Sequence, residues 1–246
     1  MTVRRSAMVL VVACCATACG WFFRAPSPVA TIRYPSAKGT ADDLLVLLPG
    51  RAARAHSFAE QGIIDIVNHT SPGVDAVAVD ATLGYYIHRN LPERLDVDVI
   101  EPARAHGYRA IWLAGISMGG LGTVLYAQRY PKSVAGVMLV APFLGDEPVI
   151  AEIEAAGGLH QWVPPASIDP EDYQRELWRW LKSCTARPES CPRILLGFGS
   201  DDRFVRAHRL LAAEMPASQV VEVPGGHTWG PWQKLFAALL PKMKQP

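Results

Sequence analysis

The segment Gly115-Ile116-Ser117-Met118-Gly119 constrains the fold of this chain more than any other feature, because it matches the pattern G-x-S-x-G directly after an apolar run. The run predicts a strand over residues 110–115, and the residues beyond the pattern predict a helix over 121–130. A strand that reverses into a helix so quickly crowds its backbone, which glycine tolerates together with unusual dihedral angles. The pattern therefore predicts a nucleophilic serine, Ser117, on a strained turn.

The rest of the chain alternates between apolar runs and stretches with helical periodicity. Strands are predicted over residues 31–34, 43–48, 74–79, 134–140, 193–198 and 219–223, and helices over 53–68, 96–106, 203–214 and 229–240. Nearly continuous apolar strands are typical of a parallel sheet covered on both faces, and this alternation favours right-handed crossovers. The expected fold class is α/β, a mostly parallel sheet flanked by helices, whose strand order the pattern does not reveal.

One segment, residues 142–192, interrupts this alternation. It contains two predicted helices, over 148–156 and 170–183, separated by Gly-Gly and Pro-Pro pairs. We interpret it as a short helical insertion over the carboxyl edge of the sheet. Because α/β folds of this length commonly form one domain, we expect residues 31–246 to be a single unit that includes the insertion.

The amino terminus has the layout of a secretory signal: Arg4 and Arg5, a short apolar stretch, then small residues. We expect residues 1–18 to be a signal peptide and 19–30 a tether. The end of the leader resembles a bacterial lipoprotein signal, which implies lipidation of Cys19, with Cys14 as the alternative and plain cleavage near Ala18 as another. The chain is thus expected to be exported, either anchored to the cell envelope or periplasmic or secreted.

Charge and cysteine content limit the partners and cofactors. Without the leader, the chain has 22 basic (24 − 2) and 23 acidic residues, a net charge of −1, which favours neither nucleic acid nor an anionic membrane as partner. Membrane contact is expected only through the lipid anchor. Cys184 and Cys191 are expected to form a disulfide in an oxidising compartment. No spacing suggests a metal site or nucleotide cofactor, so none is predicted.

A serine hydroxyl is a poor nucleophile at neutral pH, so Ser117 requires a base and a carboxylate that orients the base. Suitable residues follow the later strands in the order serine, aspartate, histidine. Asp201 and Asp202 lie in the turn after residues 193–198, and His227 lies in a Gly-Gly-His turn after residues 219–223.

With these turns, the chain from about residue 44 to 240 resembles the α/β-hydrolase superfamily. The family's G-x-x-D-x-x-V turn is similar to the segment from Gly199 to Val205 and implies Asp202 as the orienting acid, with Asp201 as the alternative. The resemblance implies His227 as the general base.

The resemblance also implies an oxyanion hole built from two backbone N–H groups. One is that of Met118, immediately after the nucleophile, and the other is assigned to Arg51 in the loop after residues 43–48. Many family members carry His-Gly in this loop. Here Pro49 replaces the histidine and Gly50 is retained.

Together these features predict a serine hydrolase that cleaves carboxylic esters or thioesters through an acyl-enzyme on Ser117, with a small-molecule acyl substrate. Acyl transfer to an alcohol or amine, and peptidase or lactonase activity, are alternatives on the same fold. A lipid-anchored binding protein without turnover is a further alternative, because fold does not fix function. Tyr85, Tyr86, Phe143 and Trp162 are candidates for lining the pocket or for packing in the core. The oligomeric state is not encoded in the pattern.

Overall fold

The computed structural model describes residues 24–244, which contain a seven-stranded sheet in the order β1-β3-β2-β4-β5-β6-β7. The strands are β1 (Thr31–Tyr34), β2 (Asp43–Leu48), β3 (Val74–Val79), β4 (Ala110–Ile116), β5 (Gly136–Val140), β6 (Arg193–Gly199) and β7 (Val220–Val223). Only β1 pairs in the antiparallel sense, with β3, and the other neighbours are parallel. The expected α/β class is confirmed.

Helices cover both faces of this sheet. In the described part of the chain they are α1 (Ser57–Glu60), α2 (Ile63–Thr70), α3 (Leu83–Ile87), α4 (Leu91–Leu95), α5 (Glu101–His106), α6 (Met118–Arg129), α7 (Glu147–Ala155), α8 (Tyr173–Ala186), α9 (Val205–Ala212) and α10 (Trp229–Leu239). A π-helical turn, Asp96–Ile100, joins α4 to α5, and short 3-10 turns span Pro188–Ser190, Ala217–Gln219 and Leu240–Lys244. No helix among residues 24–244 has the length and apolar character needed to cross a bilayer.

The core lies on both faces of β2, whose six residues are all buried. Leu44, Val46 and Leu48 belong to one apolar cluster, and Leu45 and Leu47 belong to the other. This division follows from the alternation of side chains along a strand. Burial on both faces explains why β2 has an apolar run rather than an alternating pattern.

The structure differs from the sequence prediction in the first three helices, α1 to α3. The single helix expected over 53–68 is divided into α1 and α2 at Gly62, where φ is +69°. A non-glycine residue rarely adopts this conformation, so the break coincides with the residue that permits it. The short helix α3 was not predicted, because five residues give no measurable periodicity.

The segment expected to be an insertion, residues 142–192, contains α7 and α8 near their predicted positions. Its packing depends on buried tryptophans: Trp178 donates from its ring N–H to the carbonyl oxygen of Leu144 over 2.7 Å. The Sγ atoms of Cys184 and Cys191 are bonded, closing the loop that leads into β6.

Residues 24–30 are the described part of the predicted tether 19–30, and some of them contact the folded body. Val29 is buried, and its N–H donates to the Asp98 carboxylate over 2.8 Å. The Tyr85 hydroxyl donates to the carbonyl oxygen of Pro26 over 2.6 Å. The predicted signal peptide 1–18 and the lipidation candidates Cys14 and Cys19 lie outside the described residues.

Candidate active site

Ser117 occupies the turn between β4 and α6 with φ +55° and ψ −115°, a conformation that non-glycine residues seldom adopt. A Cβ on Gly115 would overlap the carbonyl oxygen of Gly119, and one on Gly119 would overlap that of Leu48. Both flanking glycines are thus required by close backbone approach. The N–H of Ser117 donates to the carbonyl oxygen of Val140 over 3.0 Å, which fixes the turn against β5. Strain of this kind is sustained only where the surrounding structure determines it.

The structure brings Ser117, His227 and Asp202 together although the serine and histidine are 110 residues apart in the sequence. Nε2 of His227 lies 2.9 Å from Oγ of Ser117, and Nδ1 lies 2.8 Å from Oδ2 of Asp202. An ionised carboxylate can only accept, so Nδ1 carries the proton of the neutral ring and Nε2 accepts from the serine hydroxyl. The chain of hydrogen bonds therefore has the direction needed for general-base activation of the serine.

Asp202 is the buried member of this chain. Its side chain has no exposed area, and its Oδ1 accepts from the N–H of Phe204 over 2.9 Å. Burial by itself would raise the pKa of Asp202, but the hydrogen bonds from His227 and from Phe204 outweigh it and lower the pKa below the ordinary value. The carboxyl group is therefore ionised at neutral pH. Asp201, the alternative acid, is exposed and its carboxylate accepts from the Ser200 hydroxyl instead.

Aromatic rings hold the imidazole of His227 from two sides. The ring of Phe204 lies edge-on at 5.1 Å between centroids, and that of Trp232 lies edge-on at 5.0 Å. No sequence motif indicates a role for Phe204 or Trp232. Phe204 is two residues beyond Asp202, and Trp232 is five residues beyond His227, on α10. This proximity in sequence to the predicted acid and base is the one signal that could have identified them.

The loop after β2 places Gly50 beside Ser117, so that an added Cβ would lie 3.5 Å from Cβ of Ser117. Arg51, the next residue, lines the cavity that contains Ser117. Neither the N–H of Arg51 nor that of Met118 has a hydrogen-bond acceptor within residues 24–244. Both amides therefore retain their capacity to donate to a substrate.

An ion pair between Arg54 and Asp80 stabilises this loop. The Arg54 guanidinium donates to the Asp80 carboxylate through Nη2 and through Nε, the latter over 2.6 Å, and the N–H of Ala55 donates to the same carboxylate over 3.2 Å. Burial would raise the pKa of Asp80, but the hydrogen bonds from Arg54 and Ala55 lower it overall. Because Asp80 directly follows β3, the charged pair attaches the loop that contains Arg51 to the end of this strand.

The cleft around Ser117 has two lobes that share the side chains of Arg51, Leu83, Ser117 and Arg203. The histidine lobe, about 620 Å³, is also lined by Gly50, Ala52, Ala53, Ser57, Gln61, His227, Trp229 and Trp232. The aromatic lobe, about 440 Å³, is also lined by Tyr86, Met118, Leu121, Phe143, Asp146, Tyr173 and Phe204. Cavities of this size suit small organic substrates.

Two of the four aromatic candidates from the sequence, Tyr86 and Phe143, line this cleft. Trp162 does not: it is buried in the core, and its ring N–H donates to Glu152 over 2.8 Å. Tyr85 is also buried and lines neither lobe. The Cys184–Cys191 pair contributes to neither lobe. No group of three or more histidine, cysteine or acidic side chains among residues 24–244 is arranged to hold a metal ion.

A mostly parallel sheet with a serine on a tight strand-to-helix turn, hydrogen-bonded to a histidine and an aspartate after later strands, defines the α/β-hydrolase class of serine hydrolases. The comparison with family models agrees. The Esterase family model matches residues 80–243, more than half of the chain, and the chain belongs to this family of serine esterases.

Solved structures with the same fold are enzymes of this class. The chain is similar to S-formylglutathione hydrolase from Staphylococcus aureus, with 15% identity, a TM-score of 0.57, and coverage of 86% of this chain and 82% of that chain. It is similar to a ferulic acid esterase, with 16% identity, a TM-score of 0.59 and coverage of 88% and 97%. It is also similar to a monoacylglycerol lipase from Paleococcus ferrophilus, with 17% identity, a TM-score of 0.54 and coverage of 87% and 98%. No curated protein sequence matches the chain.

Proposed function

We propose that this esterase works through an acyl-enzyme on Ser117, with His227 as the general base and Asp202 as the residue that orients it. The observation that carries the proposal is the unbroken hydrogen-bond chain from the Asp202 carboxylate through the imidazole to the serine hydroxyl. As Oγ attacks the ester carbonyl carbon, the hydroxyl proton moves to Nε2 of His227. The imidazolium that forms is stabilised by the ionised, buried carboxylate.

The negative charge that develops on the carbonyl oxygen requires donors, and the N–H groups of Met118 and Arg51 are those the site offers. His227 then gives its proton to the leaving alcohol, and the carbon–oxygen bond breaks. In the second half, His227 takes a proton from water, the water oxygen attacks the acyl carbon, and Ser117 recovers its proton as the carboxylic acid leaves. No external oxidant or cofactor enters this sequence.

Thioesters are proposed as a second substrate type for the same site. The name of the similar S-formylglutathione hydrolase denotes a thioester substrate, and that of the ferulic acid esterase denotes an ester. A thiol is a better leaving group than an alcohol, so it depends less on protonation by His227. Turnover of a matched acetyl ester and acetyl thioester, with free acid as the product, tests both substrate types.

Labelling with a fluorophosphonate tests the role of Ser117 directly. The wild-type protein is expected to incorporate the probe at one site, and Ser117→Ala is expected to lose both the label and ester turnover. Ser218→Ala, which changes an exposed serine away from the cleft, is the matched control and should label like the wild type. A folded wild-type protein that neither labels nor turns over an ester would contradict the proposal and favour a binding protein.

We also propose that the chain is exported and lipidated at Cys19. The charged start, short apolar stretch and small residues before this cysteine support export. The bonded pair Cys184 and Cys191 fits an oxidising compartment. Metabolic labelling with a palmitate analogue in a bacterial host is expected to mark the wild type and Cys14→Ser but not Cys19→Ser. Labelling of Cys19→Ser with loss in Cys14→Ser would move the site to Cys14, and no labelling at all would indicate plain cleavage.

A further inference from the structure

A third cavity of about 600 Å³ lies next to the active-site cleft, and we refer to it as the outer groove. It is lined by Tyr85, Tyr86, Ile87, Arg89, Leu91, Pro92, Leu121, Leu125, Gln128, Arg129 and Tyr173. Its walls come from α3, α4, α6 and the start of α8, and most of them are apolar. Ile87 lines this groove and is 54% exposed.

The outer groove is adjacent to the aromatic lobe of the active site. Tyr86, Leu121 and Tyr173 line both cavities and form the boundary between them. The Tyr86 hydroxyl donates to the carbonyl oxygen of Met118 over 3.0 Å, which fixes the ring at this junction next to an amide of the oxyanion hole. A substrate chain that passes this boundary would therefore extend from Ser117 into a mostly apolar groove.

The position of His227 indicates which part of an ester follows this path. His227 must protonate the leaving alcohol, so that alcohol departs on the side of the imidazole. His227 lines the histidine lobe and not the aromatic lobe. The acyl part of the ester is then directed to the opposite side, into the aromatic lobe.

We propose that the outer groove binds the distal part of a medium-length unbranched acyl chain, so that the preferred substrates are esters of fatty acids rather than of short acids. This inference rests on the proposed acyl-enzyme mechanism and adds the substrate class. Burial of apolar surface supplies the preference, at most about fourfold in binding for each methylene group that the groove removes from water. The carboxyl end of the chain lies at Ser117, and its methyl end lies near Leu125 and Ile87.

A series of 4-nitrophenyl esters from acetate to octanoate, each kept below its solubility limit, tests the inference. For the wild type, kcat/KM is expected to rise at least about tenfold from acetate to octanoate. Leu125→Trp places a bulky ring in the outer groove alone, because Leu125 does not line the cleft around Ser117. This variant is expected to retain acetate turnover within about twofold and to lose the rise, whereas the volume-conserving Leu125→Met should keep it.

A second pair of variants avoids any change in the core. Ile87→Gln introduces a polar group at the groove and is expected to weaken octanoate turnover at least about threefold relative to acetate. Val97→Gln is the matched control, because Val97 is similarly exposed, at 46%, and lines none of the three cavities. It should leave the chain-length profile unchanged.

Binding to Ser117→Ala separates this inference from the proposed mechanism. Calorimetric titration of that variant with the octanoate and acetate esters needs no turnover, and tighter octanoate binding that disappears on adding Leu125→Trp supports the groove. Equal binding of both esters, or a wild-type profile that is flat and unaffected by Leu125→Trp, would overturn the inference even if Ser117 labels and acetate is hydrolysed. Failure of labelling with intact chain-dependent binding would instead overturn only the mechanism.

Discussion

The ring of His208 donates a hydrogen bond from Nε2 to the carbonyl oxygen of Pro142 over 2.8 Å, behind the active site. The direction is fixed because a carbonyl oxygen can only accept. Pro142 precedes Phe143, whose N–H donates to the carbonyl oxygen of Ser117 over 2.9 Å. The buried His208 on α9 therefore fixes the loop that is hydrogen-bonded to the backbone of Ser117.

The first prediction concerns the pH dependence of stability. Burial lowers the pKa of His208 to about 4, since a proton on Nδ1 would have no acceptor within the described structure. Between the ordinary value of 6.5 and about 4, the unfolded chain binds the extra proton and the folded one does not. The free energy of unfolding should then fall with decreasing pH by up to about 1.4 kcal/mol per pH unit in this window. Urea unfolding at several pH values measures this slope.

The contribution of His208 is isolated by substitution. His208→Gln keeps a donor for Pro142 but does not titrate, so its unfolding free energy should depend less on pH between 6.5 and 4. His160→Gln, at a side chain that is 84% exposed, is the control and should retain the wild-type slope. Identical slopes for wild type and His208→Gln would show that the histidine is not neutral when folded.

The second prediction distinguishes the two neighbouring aspartates. Asp202→Asn should lower kcat by about four orders of magnitude, because the amide favours the wrong tautomer of His227. Asp201→Asn changes an exposed carboxylate that does not reach the imidazole, and should alter kcat less than about threefold. Steady-state kinetics on an acetyl ester compares the pair, and similar losses in both variants would contradict the assignment of the acid.

The third prediction concerns the close approach of α6 to β2. Gly119→Ala would drive a methyl group into the carbonyl oxygen of Leu48, so we expect a loss of about 3 kcal/mol in unfolding free energy or failure to fold. Gly230→Ala, on α10 with open space at its Cβ position, is the matched substitution and should be neutral or stabilising by up to about 1 kcal/mol. Thermal unfolding measures the stability of both variants. Equal stability of the two variants would contradict the close approach of Gly119 to Leu48.

The fourth prediction concerns the Cys184–Cys191 bond. The bond closes a short loop, with a sequence separation of 7, and its reduction should lower the unfolding free energy by about 2–3 kcal/mol. Ester turnover under native conditions should change little, because neither cysteine lines the cleft. Urea unfolding with and without reductant measures the difference. A Cys184→Ala/Cys191→Ala protein should be insensitive to reductant, and a large loss of turnover on reduction of the folded wild type would contradict the purely stabilising role.

Much of the site could be predicted locally. The turn around Ser117 is visible in the sequence because the crowded backbone there requires glycine at positions 115 and 119, and no other residue type fits. Asp202 and His227 could be selected as candidates because each follows a predicted strand, and the carboxyl ends of parallel strands meet at one edge of the sheet. Family resemblance favours Asp202 over Asp201. The geometry agrees, because the carboxylate of Asp202 contacts the imidazole and that of Asp201 does not.

The positions of the strands and the candidate catalytic side chains are readable from the sequence, because apolar runs, glycine turns and strand ends are local properties of the chain. The strand order, the enclosure of His227 by Phe204 and Trp232, and the outer groove beside Leu125 arise only from tertiary packing. These features join residues that are far apart in sequence, and their contacts depend on how helices of different segments pack on the sheet. No local periodicity encodes that packing, because each helix is compatible with several neighbours until burial of the shared core selects one arrangement.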